Sequence, residues 1–295
     1  MRYFSSCWIA AVAVCGLLML VISAGVVPAT MIEDFDGGGT VPYNLTNSTG
    51  SAASIAGPSL TGNYGRLTNL NGSNNNSIAF NEDPSQTGPA PYGVRLAFDF
   101  RMTDNAANAG AGGCCGSAAD GLGIGMFATA AYGTTGGNNP AAAGGNWERP
   151  AFANAFAVGL DIFENIDVVS LNWNGTEVAT ADVESFLDLN NNIFHRAIVE
   201  VTPDGSNALV NMRILEDVHG NTVSHAIFTN QPVAGLNLSA LPGYRVIAGG
   251  RTGGAFVAGD MDNISLSSLP VPEPSAIVLV VLGGFTLLVV RRRAR

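Results

Sequence analysis

The chain has 295 residues, of which 47% are hydrophobic and only 12% are charged. That length suits one large all-β domain between two short terminal segments, and the hydrophobic content is enough for a sizeable core. The formal net charge is −10, and residues 30–269 hold eight arginines against 22 acidic residues. Because an acidic surface repels nucleic acid phosphates, the composition argues against a nucleic acid partner.

The N-terminal segment has the three parts of an export signal. Arg2 is followed by a mainly apolar run over residues 7–22, and small residues come next. Such an order predicts a signal peptide over residues 1–29, cleaved after Ala29, with cleavage after Ala24 as the alternative. An uncleaved N-terminal anchor is the other interpretation. In either case the following domain is exported.

Residues 30–269 are predicted to form short β-strands separated by turns. Polar and apolar side chains alternate clearly over residues 93–102, with Leu96 and Phe98 expected on the inner face. Residues 194–202 and 208–215 flank Asp204-Gly205 and predict a hairpin. About a dozen such strands with turn signals favour an all-β sandwich.

Cysteine and histidine offer little chemistry in this domain. Cys114 and Cys115 are adjacent in a glycine-rich stretch, so they cannot join distant strands, and a local disulfide or two free thiols are both open. The three histidines lack a shared metal-ligand spacing and are predicted to lie at the surface. They are His195, His219 and His225.

The C-terminal tail, residues 270–295, also has three parts. A Val-Pro-Glu-Pro-Ser motif occupies residues 271–275, an uncharged apolar run follows over residues 276–290, and residues 291–295 contain four arginines. The run is slightly short for a membrane span, but snorkelling arginines extend it. Since positive charge stays in the cytoplasm, the tail predicts a single membrane-spanning helix with the large domain outside.

This order of motif, apolar helix and arginines resembles the PEP-CTERM sorting signal. The resemblance implies that an exosortase, the membrane enzyme that handles such tails, recognises Val271, Pro272, Glu273 and Pro274. It also implies a place at the cell surface or in the extracellular matrix, since the family is associated with bacteria that make extracellular polysaccharide. Whether the tail stays as an anchor or is cut remains open.

Three pieces of the middle resemble the concanavalin A-like lectin/glucanase (LamG-like) domain. The first is Ala-Asp-Gly-Leu at residues 119–122, the second covers residues 157–175, and the third covers residues 249–264. The resemblance implies that residues 30–269 fold as a jelly-roll β-sandwich, and that the domain binds glycan such as extracellular polysaccharide.

Lectins of this family also suggest site residues. The Asp of the Ala-Asp-Gly turn contacts sugar, which implies a carbohydrate contact at Asp120. Carboxylates and an Asn after a mid-domain strand bind Ca²⁺, which implies Asp161, Asn165 and Asp167 as metal ligands. Trp147, in a glycine-rich loop, is a further candidate for stacking on a sugar. The alternative is that the acidic residues are ordinary turn residues.

The enzymes of the family carry a Glu-x-Asp-x-x-Glu strand. Here Asp161 and Glu164 match that pattern, but Gly159 stands at the nucleophile position, where the lectins have a metal-binding Glu. Without that carboxylate, retaining hydrolysis has no nucleophile. The sequence therefore predicts a non-enzymatic, lectin-like surface protein with no catalytic residue. A purely structural envelope protein and a divergent glycoside hydrolase are the alternatives.

Overall fold

β-Strands make up more than half of the residues that the computed structural model describes, which are residues 30–59, 62–82, 93–103, 118–163, 166–220, 222–237 and 243–269. The signal peptide, the tail, Cys114 and Cys115, and Asn165 lie outside the described residues. The strands are β1 (Thr30–Glu33), β2 (Tyr43–Thr49), β3 (Ser54–Ser59), β4 (Gly62–Thr68), β5 (Asn75–Phe80), β6 (Val94–Thr103), β7 (Gly121–Ala128), β8 (Ala155–Asp161), β9 (Val168–Trp173), β10 (Thr176–Asp182), β11 (His195–Asp204), β12 (Asn207–Glu216), β13 (Val223–Val233), β14 (Tyr244–Arg251) and β15 (Ala258–Ser268).

These strands form two antiparallel sheets. Sheet A has the order β13-β12-β11-β6-β15-β4-β3, and β1 also pairs with β15. Sheet B has the order β10-β9-β8-β7-β14-β5-β2. The predicted all-β fold is confirmed, and the crossovers between the two sheets agree with a jelly-roll sandwich.

The core lies between the sheets. In β6, Leu96, Phe98 and Phe100 are buried among the inward side chains of both sheets, whereas Arg95 faces outward. Burying one such side chain contributes about 1.5–3 kcal/mol. The predicted alternation in β6 is therefore confirmed, and so is the hairpin of β11 and β12, which pair from Arg196–Leu215 to Asp204–Asn207.

A long connection covers the outer face of sheet B. It contains a helical turn α1 (Thr129–Tyr132) and a 3₁₀ turn (Pro140–Ala143), and it returns across the sheet before β8. The helical segments among the described residues are short turns, and none of them has the length and apolarity that crossing a bilayer requires.

Glycines allow this connection to lie directly on the strands. Gly123 is the cross-strand partner of both Gly159 and Gly249, so one glycine row crosses β8, β7 and β14. A Cβ on Gly159 would lie 2.1 Å from the carbonyl oxygen of Glu148, and a Cβ on Gly249 would lie 1.9 Å from the Trp147 ring. Neither distance is possible, so this row accommodates residues 147–150.

The prediction that all three histidines lie at the surface is wrong for His195. This side chain is fully buried, and its ring lies 5.3 Å from that of Phe100. Its Nε2 is 3.1 Å from the Asn191 side-chain oxygen. Burial lowers the pKa of His195, which favours the neutral ring. A polar residue at the end of a strand was expected outside, but the neighbouring loop covers it.

Candidate functional site

The ends of three neighbouring strands bring acidic and basic side chains together at one edge of sheet B. Gly121, the first residue of β7, is the cross-strand partner of both Asp161 in β8 and Arg251 in β14. Asp120 precedes Gly121, and its peptide bond to Ala119 is cis. Residues 148 and 149 approach the same edge from the connection above the sheet. We name the five charged residues here the rim cluster: Asp120, Glu148, Arg149, Asp161 and Arg251.

Arg251 links two of the three carboxylates of the rim cluster. Its Nη1 donates a hydrogen bond of 2.7 Å to Glu148 Oε1, and its Nε lies 3.6 Å from Asp120 Oδ2. Nη1 also donates to the Asn146 side-chain oxygen at 2.5 Å. The backbone N–H of Asp120 donates to the Arg251 carbonyl at 3.3 Å, so the main chain fixes Asp120 beside the guanidinium. One cation therefore serves two carboxylates.

Two carboxylate oxygens of the rim cluster retain unused acceptor capacity. Asp120 Oδ2 and Glu148 Oε2 are buried and accept no hydrogen bond from any described residue. Asp120 is 8% exposed. A Cβ placed on Gly253 would lie 3.3 Å from Asp120 Oδ2, so this glycine keeps the space beside the oxygen free of a side chain. Since buried acceptors are normally paired, these two oxygens suit an incoming hydroxyl donor.

Burial also changes the acidity of these groups. It raises the pKa of Glu148 to about 7, although the Arg251 charge acts in the opposite direction. The pKa of Asp120 is raised by burial as well, opposed by Arg251 and reinforced by Asp161. Near neutral pH, Glu148 therefore exists in both protonation states and can donate as well as accept.

Asp161 is held by a different arginine. Arg149 Nε donates to Asp161 Oδ2 at 2.6 Å, and the backbone N–H of Phe163 donates to Oδ1 at 3.0 Å. Arg149 also contacts the exposed Glu177 at 3.5 Å. Both oxygens of Asp161 are thus already hydrogen-bonded within the protein.

Asp167 stands next to Asp161 but has other partners. It directly precedes Val168, the cross-strand partner of Asp161. Its Oδ2 accepts a hydrogen bond of 2.6 Å from the backbone N–H of Leu189, and burial raises its pKa to about 6. These contacts anchor the loop that follows β10.

The described residues do not fit a Ca²⁺ site. No group of three His, Cys, Asp or Glu side chains within the described ranges has the arrangement to hold a metal ion. Asp161 is occupied by Arg149, and the space at Gly159, where the lectins have a metal-binding Glu, is filled by the Glu148 main chain. Asn165 lies outside the described residues, so the full predicted ligand set stays a prediction.

Trp147 does not fit the predicted stacking role. The ring is fully buried among Phe127, Phe152 and other side chains of the small cluster outside sheet B. Its Nε1 donates to the Asn139 side-chain oxygen at 3.2 Å. A tryptophan in a glycine-rich loop was expected to be accessible, but Gly249 leaves a space in the sheet that the ring fills.

Glu148, Arg149 and Arg251 were not predicted as site residues. The available signal was indirect, since Gly159 in the middle of a strand indicates that another backbone approaches closely. The strand register needed to place Arg251 beside Asp120 is set by residues about 130 positions apart and cannot be read from local spacing.

Comparisons with known proteins give structural but no sequence matches. No family model matches the chain, and no curated protein matches it significantly. Among solved structures, winged bean acidic lectin complexed with methyl-α-D-galactose is similar at TM-score 0.54 and 16% identity, over 83% of this chain and 99% of that chain. The lectin UEA-II complexed with galactose gives a TM-score of 0.53 and 12% identity, over 83% of this chain and 99% of that chain. The Ca²⁺-bound exoplasmic/lumenal domain of VIP36 gives 0.52 and 17%, over 83% and 92%.

At these identities the likeness shows the fold alone. The chain has the two-sheet architecture of the concanavalin A-like lectins, and nearly the full length of each lectin domain is covered. The fold predicted from residues 119–122, 157–175 and 249–264 is therefore confirmed at the level of architecture.

Proposed function

We propose that this protein is a lectin-like carbohydrate-binding protein that acts outside the cytoplasm, with the rim cluster as its sugar site. The observation that carries the proposal is Asp120 Oδ2, a buried carboxylate oxygen without a hydrogen bond beside Gly253. The similar winged bean lectin and UEA-II structures contain methyl-α-D-galactose and galactose, and the similar VIP36 domain is exoplasmic or lumenal. These relationships support a glycan ligand and an extracytoplasmic place.

The rim cluster supplies the chemistry that such a ligand needs. Asp120 Oδ2 accepts a hydrogen bond from a sugar hydroxyl, and no side chain at Gly253 occupies the space beside this oxygen. Arg251 opposes the effect of burial on Asp120 and so favours the ionised acceptor. Glu148 contributes a second oxygen to the same edge. A Ca²⁺ ion at Asp161, Asn165 and Asp167 would require Asp161 to release Arg149.

The enzymatic Glu-x-Asp-x-x-Glu motif is incomplete in this chain, which supports non-enzymatic binding. Gly159 replaces the nucleophile of the enzymatic strand, and its space is closed by the carbonyl of Glu148. A carboxylate pair without a nucleophile cannot run retaining hydrolysis.

The terminal segments complete the proposal. A signal peptide over residues 1–29 exports the chain, and an exosortase recognises Val271, Pro272, Glu273 and Pro274. The helix over residues 276–290 anchors the protein in the membrane until the tail is cut. Mass spectrometry of the protein from its native membrane tests this, since an intact C-terminus at Arg295 together with unchanged sorting after Glu273→Ala would contradict it.

Glycan-array binding tests the sugar site. The full chain and its D120N variant are compared with D204N, a matched substitution at the exposed β11–β12 turn. Because a charge-assisted hydrogen bond is lost, D120N should weaken binding about tenfold or more, while D204N should bind like the original.

Two outcomes would contradict this proposal. Absence of binding to any glycan would favour a structural envelope protein without a ligand. Release of reducing sugar from a bound polysaccharide, lost in E148Q, would favour a divergent glycoside hydrolase.

A further inference from the structure

The outer face of sheet A holds five of the eight arginines of residues 30–269. The strand register brings these arginines together on β6 and its neighbours. Arg95 is the cross-strand partner of Glu200 and Ser267. Arg196 is the partner of Asp99, and Asp260 is the partner of Arg101. Alternation puts all of these residues opposite the core side chains of β6. We name this surface the arginine face, and its arginines are Arg66, Arg95, Arg101, Arg196 and Arg213.

The charge of the arginine face differs from that of the remaining domain. The face carries five arginines and four carboxylates, which belong to Asp99, Glu200, Asp260 and Asp262. The rest of residues 30–269 carries three arginines and eighteen carboxylates. An anion approaching the domain therefore meets its most favourable surface here.

Three of the four carboxylates of this face are buried. Asp99, Asp260 and Asp262 are almost completely buried. Arg66 and Arg101 both bind Asp260, with their closest approaches at 2.8 and 2.7 Å, and Arg196 binds Asp99 through two hydrogen bonds of 2.6 and 2.9 Å. These pairs fix the guanidinium planes, and the Arg66 and Arg196 side chains remain 27% and 39% exposed.

A groove of about 540 Å³ crosses the arginine face. Its floor contains short or apolar side chains, including Ala97 and Ile198, and its polar lining consists of Arg95, Arg196, Arg213, Asn263, Ser265 and Ser267. The exposed Arg213 makes no ion pair with any described residue. Arg95 has only a 3.8 Å contact with Glu200, whose side chain is 34% exposed. Two cations are thus available to a ligand.

We propose that this groove binds an acidic polysaccharide through the carboxylate groups of its uronic acid units. Guanidinium groups bind carboxylates in a bidentate manner, and the serine and asparagine side chains offer partners to the hydroxyls between the charges. An open groove across the outer face of a sheet suits an extended polymer. The site is separate from the rim cluster, which lies at the edge of the other sheet, so the two are tested independently.

Retention of the full chain on immobilised polygalacturonate, with neutral dextran as the control polymer, tests this inference. Arg213→Gln and the double variant R95Q/R213Q leave no buried carboxylate unpaired, so they are expected to fold. The double variant should weaken binding about tenfold at low ionic strength. Thr176→Gln, at an exposed position of sheet B, introduces the same amide side chain without removing a charge; it is the control and should be retained like the original.

Further measurements separate the alternatives. Binding should weaken in about 1 M salt, where charges are screened beyond roughly 3 Å. It should persist in D120N, which removes the proposed rim contact. The inference is overturned if the original chain is not retained, if R95Q/R213Q is retained equally, or if single-stranded DNA binds as well as polygalacturonate. A dimer that dissociates in R95Q/R213Q, without binding to the polymer, would instead assign the face to a second copy of the chain.

Discussion

The buried carboxylate of Glu148 makes the stability of this domain depend on pH. Burial raises its pKa from the ordinary value of 4.5 to about 7. The folded state therefore holds this proton more tightly than the unfolded state. The stabilisation from the protonated form is fully present below pH 4.5, declines between pH 4.5 and 7, and does not change further at higher pH. At about 1.36 kcal/mol for each pKa unit, the loss is roughly 3 kcal/mol.

Glu148→Gln removes this titration while keeping the shape of the side chain. The free energy of unfolding, measured by urea denaturation with tryptophan fluorescence at steps from pH 4 to pH 8, should fall less steeply in the variant. Between pH 4 and pH 8, the free energy of unfolding of the variant should therefore rise by about 3 kcal/mol relative to that of the original chain. E177Q, at an exposed glutamate that also contacts an arginine of the rim cluster, is the control and should follow the original.

A pH-independent difference between Glu148→Gln and the original would refute the reasoning. It would mean that Glu148 ionises as it does in the unfolded chain, and hence that it is solvated. The rim cluster would then not contain a buried carboxylate beside Asp120 and Arg251.

Two other predictions concern the glycine row and the metal. Gly159→Ala places a Cβ 2.1 Å from the Glu148 carbonyl, so it should lower the unfolding temperature by about 4–8 °C, whereas G38A, with no Cβ contact below 3.5 Å, should not. If G159A had the same unfolding temperature as the original chain, this would contradict the packing of residues 147–150 on sheet B. The second prediction concerns the metal. Because Asp161 is already ion-paired with Arg149, adding Ca²⁺ or EDTA should leave the unfolding temperature unchanged. A saturable rise with Ca²⁺ would instead show that Asn165 completes a metal site.

Local sequence was sufficient for several elements. Alternation over residues 93–102 predicted which side of β6 faces the core, because side chains on a strand alternate between its two faces. Asp204-Gly205 predicted the turn between β11 and β12, because glycine accepts the left-handed conformation found at Gly205. The Ala-Asp-Gly turn indicated that a strand begins after Asp120, and in the folded domain this residue lies beside the Arg251 guanidinium.

Other features depend on residues far apart in the chain. Arg251 meets Asp120 because β14 pairs with β7, and Arg213 joins Arg95 because β11 lies between β6 and β12. Trp147 fills the space above Gly249, which reverses the prediction that its ring is accessible. Composition showed that arginines are few, but strand order alone decided that five of them share one face. Periodicity is a local property of the backbone and can be read along the chain, whereas charge clustering and burial depend on which strands become neighbours when the sandwich closes.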